Sequence, residues 1–211
     1  MLGGQRGRWL FLSLLLIAIA LRLFDLAARE VWLDEAFSWN QATLGFTEML
    51  ASVARDVHPP LYQLILWGNT RFFGESAFAL RLPSVVFSVL AVALTYRLTA
   101  TLSSKPAALL AMAFAALSTF QLWYAQEARM YSLLAMLTLG SMLMLVRVLQ
   151  RPRGKNLAGY ALLSLLLLYT HVYGAFVLLA QNAFYLLLWG WRQTPEHMRW
   201  PRWFGLQLLI A

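Results

Sequence analysis

Residues 106–146 read PAALLAMAFAALSTFQLWYAQEARMYSLLAMLTLGSMLMLV, and the only charges among them are Glu127 and Arg129. A helix that crosses a bilayer needs about 20 consecutive, mostly apolar residues. The stretch divides into two such runs, Pro106–Tyr124 and Met130–Val146, around the turn Ala125-Gln126-Glu127-Ala128-Arg129. Hydrocarbon offers no water to backbone N–H and C=O groups, so runs of this kind form helices. The stretch predicts a helical hairpin across a membrane, with its polar groups confined to one end.

Working outward, four more runs qualify. Trp9–Ala28 is apolar until Arg22 and Asp25, Leu82–Ala100 is interrupted by Arg97, Leu157–Tyr173 contains His171, and Gly174–Trp191 has no charge. A seventh run begins at Trp203 and stops at Ala211. The sequence therefore predicts an all-α polytopic membrane protein, a single transmembrane unit over residues 1–211 with six spans and the start of a seventh. Composition agrees: the 211 residues are 61% hydrophobic and 12% charged, against roughly 25% charged in soluble domains, and mean hydropathy is +0.62. Arg6 and Arg8 precede the first run as in a signal peptide, but no small-residue cleavage site follows, so the run reads as an uncleaved anchor. Cysteine is absent, which excludes disulfide and thiol chemistry.

The net charge of +8 is a topology signal. With the N-terminus in the cytoplasm, most Lys and Arg fall in inner segments, and every acid except Glu196 falls at or beyond the outer ends of the runs. Basic residues distributed this way give no nucleic-acid footprint. The expected location is the plasma (cell inner) membrane, with polar chemistry on the external or periplasmic face.

One connection is long. Residues 29–81 separate the first two runs, and loops of that length are usually functional or carry their own structure. Leu33, Phe37, Gln41 and Leu44 share one helical face, Thr47–Val53 is a second amphipathic stretch, and Pro60 opens a third helix over Leu61–Phe73 that Gly74 ends. Their tryptophans and phenylalanines predict helices lying at the membrane surface.

Four clusters of ionisable residues gather at outer ends, where charge at membrane depth marks a functional candidate. Asp34 and Glu35 stand among Trp32, Phe37 and Trp39, which would desolvate a carboxylate and suit it to general-base work; the pair also reads as a helix start, with Asp34 as cap. Asp56-Val57-His58-Pro59-Pro60 fixes an acid and an imidazole on rigid backbone, as a metal or phosphate site needs, or forms a solvated turn. Glu127, Arg129 and Tyr131 make a compact turn that serves as a site or as a neutralised loop. His171, between Tyr169 and Tyr173, reads as a ligand or as an interfacial residue.

The ordered series LDEAFSW, HPPLYQLILW, FFGESAFALRLPSVVFSVL, WYAQEARMY and THVYG resembles the N-terminal half of the polytopic GT-C glycosyltransferases. It is most similar to the family 39 type, which includes protein O-mannosyltransferases and the aminoarabinose transferase of lipid A. The resemblance implies a GT-C transmembrane helix bundle with interfacial helices in the first external loop. It also implies a polyprenyl-phosphate sugar donor and inverting transfer to a lipid, glycan or protein acceptor. Asp34 would be the general base, with Glu35 orienting its neighbours. Arg129, with His58 second, would stabilise the leaving phosphate, and Tyr131 and His171 would line the substrate site. Glu127 would take the second acidic position and hold acceptor, or a divalent metal (Mg or Mn) together with Asp56 or His58. Members of this type continue through further spans, so the residues read as the first part of a longer chain. A transporter or flippase, which favours broken or charged helices at the bilayer midplane, and a noncatalytic membrane scaffold are the alternatives.

Overall fold

The computed structural model describes residues 4–191, 193–198 and 200–210. Arg192 and Arg199, which count among the expected inner basic residues, and Ala211, at the end of the seventh run, lie outside the described residues. Eleven α-helices and no strand are found among those described: α1 (Gln5–Leu23), α2 (Leu33–Thr43), α3 (Phe46–Val53), α4 (Leu61–Phe73), α5 (Ala77–Leu102), α6 (Lys105–Leu117), α7 (Thr119–Ala125), α8 (Tyr131–Gln150), α9 (Gly154–Leu168), α10 (Tyr173–Gly190) and α11 (Trp200–Leu208). The all-helical membrane bundle is as expected, and α2, α3 and α4 fill the long connection where the sequence placed them.

The six expected runs differ in length and apolar character. Three helices, α5, α8 and α10, are long and apolar enough to cross a membrane, and α6 with α7 makes a fourth if that pair, bent by 57°, is one span. The bend falls at Ser118, whose hydroxyl accepts from the Gln121 N–H and starts α7 afresh. α1 stops at Leu23 and carries Arg6, Arg8 and Arg22. α9 has 15 residues and stops at Leu168, which leaves His171 in a turn.

Arg22 shows how one break is accommodated. Its side chain is wholly buried without a carboxylate partner. It donates to Ser88 Oγ (2.8 Å) and to the carbonyls of Ala18, Ala115 and Ala116. Ala115 and Ala116 end α6, where unpaired carbonyls and the helix dipole both favour a cation.

α5 begins at Ala77, capped by Ser76, so Arg81 belongs to this helix and not to the preceding loop as expected. Pro83 lies inside it. A helical proline leaves the carbonyl four residues earlier without its N–H, and Asn69 Nδ2 on α4 donates to that carbonyl, Ala79 O, at 2.7 Å. The kink-prone position thereby fastens the surface helix to the spanning one. Gly74 ends α4 at φ 80°, a backbone region that strains any residue with a Cβ. Beneath α2 and α4, an apolar core of Ala42, Tyr62, Leu66, Leu80, Leu133 and Leu167 joins them to α5, α8 and α9. Outward, Leu33, Val57 and Phe72 are each more than three-quarters exposed, as apolar groups resting in a membrane interface would be.

Candidate active site

The chain neighbours Asp34 and Glu35 diverge sharply. Trp32 is the N-cap of α2 and no side chain caps it, so the capping role considered for Asp34 is not realised. The expected aromatic crowding is corrected as well: Trp32, Phe37 and Trp39 are 47%, 48% and 40% exposed, and the Trp39 indole donates to Glu75 (3.1 Å). Because successive helical residues point about 100° apart, Glu35 turns inward while the aromatics turn out.

Glu35 is 1% exposed. It takes a bidentate pair from Arg81, Nε at 2.9 Å and Nη2 at 2.7 Å, and a third bond from the Ala128 N–H at 2.8 Å. Arg81 spends its other donors on the carbonyls of Leu26, Arg29 and Glu30. All five guanidinium N–H groups are thus engaged, and the residues before α2, α2 itself, α5 and the 126–130 turn are locked together. A pair this buried and this fully bonded holds a shape. Its partner Arg81 went unrecognised in the sequence; the available signal was a lone arginine in the first turns of an otherwise apolar run.

Asp34 is half-buried beside this node, and its carboxylate has no hydrogen-bond partner among the described residues. Its backbone carbonyl accepts from Ser38 Oγ (3.2 Å) and from Arg129 Nη1 (3.3 Å). Arg129 also donates to Ser38 Oγ at 3.1 Å, while its buried Nε has no partner. Ser84 and Tyr62 brace the turn from beneath: Ser84 Oγ donates to Arg129 O and bonds the Tyr62 hydroxyl, both at 3.1 Å.

Glu127 is 6% exposed and its Oε2 is buried without a partner. Burial pushes its carboxyl above the usual carboxylate range. A bond from Trp123 opposes the shift, the negative charges of Glu35 and Asp34 add to it, and Arg129 offsets part of it. Asp34, Glu35, Glu127 and Arg129 therefore occupy one electrostatic neighbourhood assembled from α2 and the turn before α8.

The histidines form the other wall. Asp56 Oδ1 pairs with His58 Nδ1 at 3.1 Å, and the His58 ring centroid lies 5.5 Å from that of His171. The Leu61 N–H donates to Tyr169 O (2.9 Å), tying the two turns together. His171 Nδ1 accepts from the Tyr173 N–H at 3.0 Å, so the neutral ring carries its proton on Nε2. Desolvation, then His58 and Arg129, hold the His171 imidazole below its ordinary range. Gly174 makes this turn possible, because a Cβ there would lie 2.5 Å from Leu167 O. The Tyr131 ring lies 6.2 Å from His171, completing the group.

Asp56 and His58 meet as a metal pair would, yet no group of three or more His, Asp or Glu side chains gathers at ligand spacing among the described residues. Mg or Mn usually keeps several waters and is held by one or two carboxylates together with substrate phosphate, so Asp56 with His58 is the pair that would hold one.

A family model described as dolichyl-phosphate-mannose-protein mannosyltransferase matches residues 57–211, well over half of the chain. The chain belongs to that family. Its members are glycosyltransferases that draw on a lipid-linked sugar donor. The matched stretch includes His58, Glu127, Arg129, Tyr131 and His171, and begins after Asp34, Glu35 and Asp56. No curated protein matches the chain.

Proposed function

We propose that the chain carries the acid–base and phosphate-binding groups of an inverting transferase, which moves a sugar from a polyprenyl-phosphate donor to an acceptor hydroxyl at the outer membrane face. One observation carries this reading. In a node where Glu35 and Arg81 are fully bonded, the buried Glu127 Oε2 and Arg129 Nε remain without partners beside the half-buried Asp34 carboxylate. Unpaired buried polar atoms are costly in a structural core, and they suit a site whose ligand completes them.

In this reading Asp34 accepts the proton of the acceptor hydroxyl as its oxygen attacks the anomeric carbon. The bond from that carbon to the phosphate oxygen breaks, and the electron pair leaves with the polyprenyl phosphate, which becomes a monoester. Single displacement inverts the anomeric centre. Arg129, with the Nε2–H of His171 and the Asp56-held His58, binds the phosphate on which charge develops. Glu127 uses its unpartnered Oε2 to bind a sugar or acceptor hydroxyl, and Tyr131 lines the His171 side. The inner-membrane location and the cytoplasmic N-terminus belong to the same proposal.

The test is sugar transfer from polyprenyl-phosphate mannose by the full chain in membranes that contain the natural acceptors. Asp34→Asn is expected to lower turnover by about 10²–10⁴-fold while folding normally. Unchanged turnover in a folded Asp34→Asn protein would overturn the general-base assignment.

A further inference from the structure

The end of the bundle remote from Asp34 holds a second concave site. α5 carries Arg81 near one end and Arg97 near the other, a separation of 16 residues or about 24 Å along a helix. That approaches the roughly 30 Å thickness of a bilayer's hydrocarbon core. At the Arg97 end, α1, α5 and α6 enclose a cleft of about 660 Å³ lined by Gln5, Arg8, Phe11, Tyr96, Arg97 and Lys105, a volume typical of small-ligand sites. Its three cations come one from each helix. No carboxylate lines the cleft, and among the described residues no ion pair involves any of the three cations. Three exposed like charges converging on one hollow raise the local positive potential and attract an anion to it. Phe11 and Tyr96 meet edge to face at 4.9 Å, so the hollow also has an aromatic wall. Gly4 and Gly7 line it without side chains.

We propose that this cleft binds the phosphodiester headgroup of an anionic glycerophospholipid. The cations engage the phosphate, and the aromatic pair packs against the glycerol and upper acyl region. The position selects a lipid over a free anion, since the hollow opens where spanning helices leave the hydrocarbon and headgroup phosphates are concentrated. The second basic cluster at this end, around Arg151, Arg153 and Lys155, differs in kind. It lines a smaller cleft of about 310 Å³, shared by the end of α8 (Arg147), the connection and the start of α9 (Lys155), with no aromatic side chain in its lining, and it supplies a charge-matched control.

The test uses the full chain purified in mild detergent and exchanged into nanodiscs of phosphatidylcholine doped with phosphatidylglycerol, with bound lipid counted by native mass spectrometry. Wild type is expected to retain phosphatidylglycerol preferentially. A hydrogen bond to a charged group is worth about ten-fold or more, so losing the converging contacts in Arg8→Gln/Arg97→Gln/Lys105→Gln should cost at least about a hundred-fold in preference. Arg151→Gln/Arg153→Gln/Lys155→Gln, with the same change in net charge, should lose under ten-fold. Equal losses in the two triple variants would overturn the cleft in favour of general surface attraction. Wild type alone gives an arm that needs no variant. Displacement of bound lipid by inorganic phosphate at matched ionic strength would show a free-anion site, and equal retention of phosphatidylcholine would show no headgroup selection; either result sinks the proposal.

Discussion

Asp34 and Glu35 are adjacent in the chain, identical in charge and opposite in circumstance. The Glu35 node is closed: Arg81 and the Ala128 amide meet its carboxylate, and every guanidinium proton of Arg81 has an acceptor. The node around Asp34, Glu127 and Arg129 is open, with a partnerless carboxylate, a buried orphan oxygen and a buried orphan nitrogen. The difference teaches that burial of charge alone does not mark a reactive group. A fully bonded buried pair stabilises one arrangement of helices, whereas an incompletely bonded one leaves room for a substrate to supply the missing partners.

Breaking the closed node should have the largest effect. Arg81→Met strands a buried carboxylate and three backbone carbonyls, and should destabilise by about 3–5 kcal/mol, read as lost thermal stability in detergent. The double variant Glu35→Leu/Arg81→Met should recover little of it, because the Leu26, Arg29 and Glu30 carbonyls stay unsatisfied. A full recovery would show that Arg81 serves Glu35 alone. Gly174→Ala comes next. Its methyl would collide with the Leu167 carbonyl, and overpacking of this sort costs about 1–3 kcal/mol. Because this turn presents His171 to the open node, donor binding should weaken alongside stability.

A smaller and opposite result is expected at Glu127. Its folded-state pKa lies above the ordinary carboxyl value. The fold therefore favours its neutral form, and that contribution fades as pH rises through the raised value. Glu127→Gln should raise thermal stability at neutral pH and lower transfer. A loss of both would place Glu127 among structural groups with Glu35. The smallest effect concerns His171, whose folded-state pKa is depressed. Its neutral ring contributes stability that is present above the ordinary imidazole pKa and lost as pH falls through the lowered one. Unfolding followed across that range should show a slope that His171→Gln flattens.

Much of this was legible in the chain. The apolar runs at 106–146 announced a helical membrane protein, and the Pro60 and Gly74 punctuation bounded α4 as found. Asp34, Glu127, Arg129, His58 and His171 stood out because acids, bases and aromatics seldom crowd the ends of apolar runs without cause. Span counting was less secure, since hydropathy averages over breaks: Ser118 divides one run into α6 and α7, and His171 lies beyond the end of α9. Arg81 was missed because its partner is 46 residues away, a separation at which no local pattern reports a contact.

The sequence by itself determined the solvent of this protein, its helices and the polar ends at which chemistry could occur, because hydropathy and turn residues act over a few neighbours. Only the tertiary structure decided which acid was spent on the scaffold. That choice depends on which side of α2 meets α5 and the 126–130 turn, and packing between distant helices sets it.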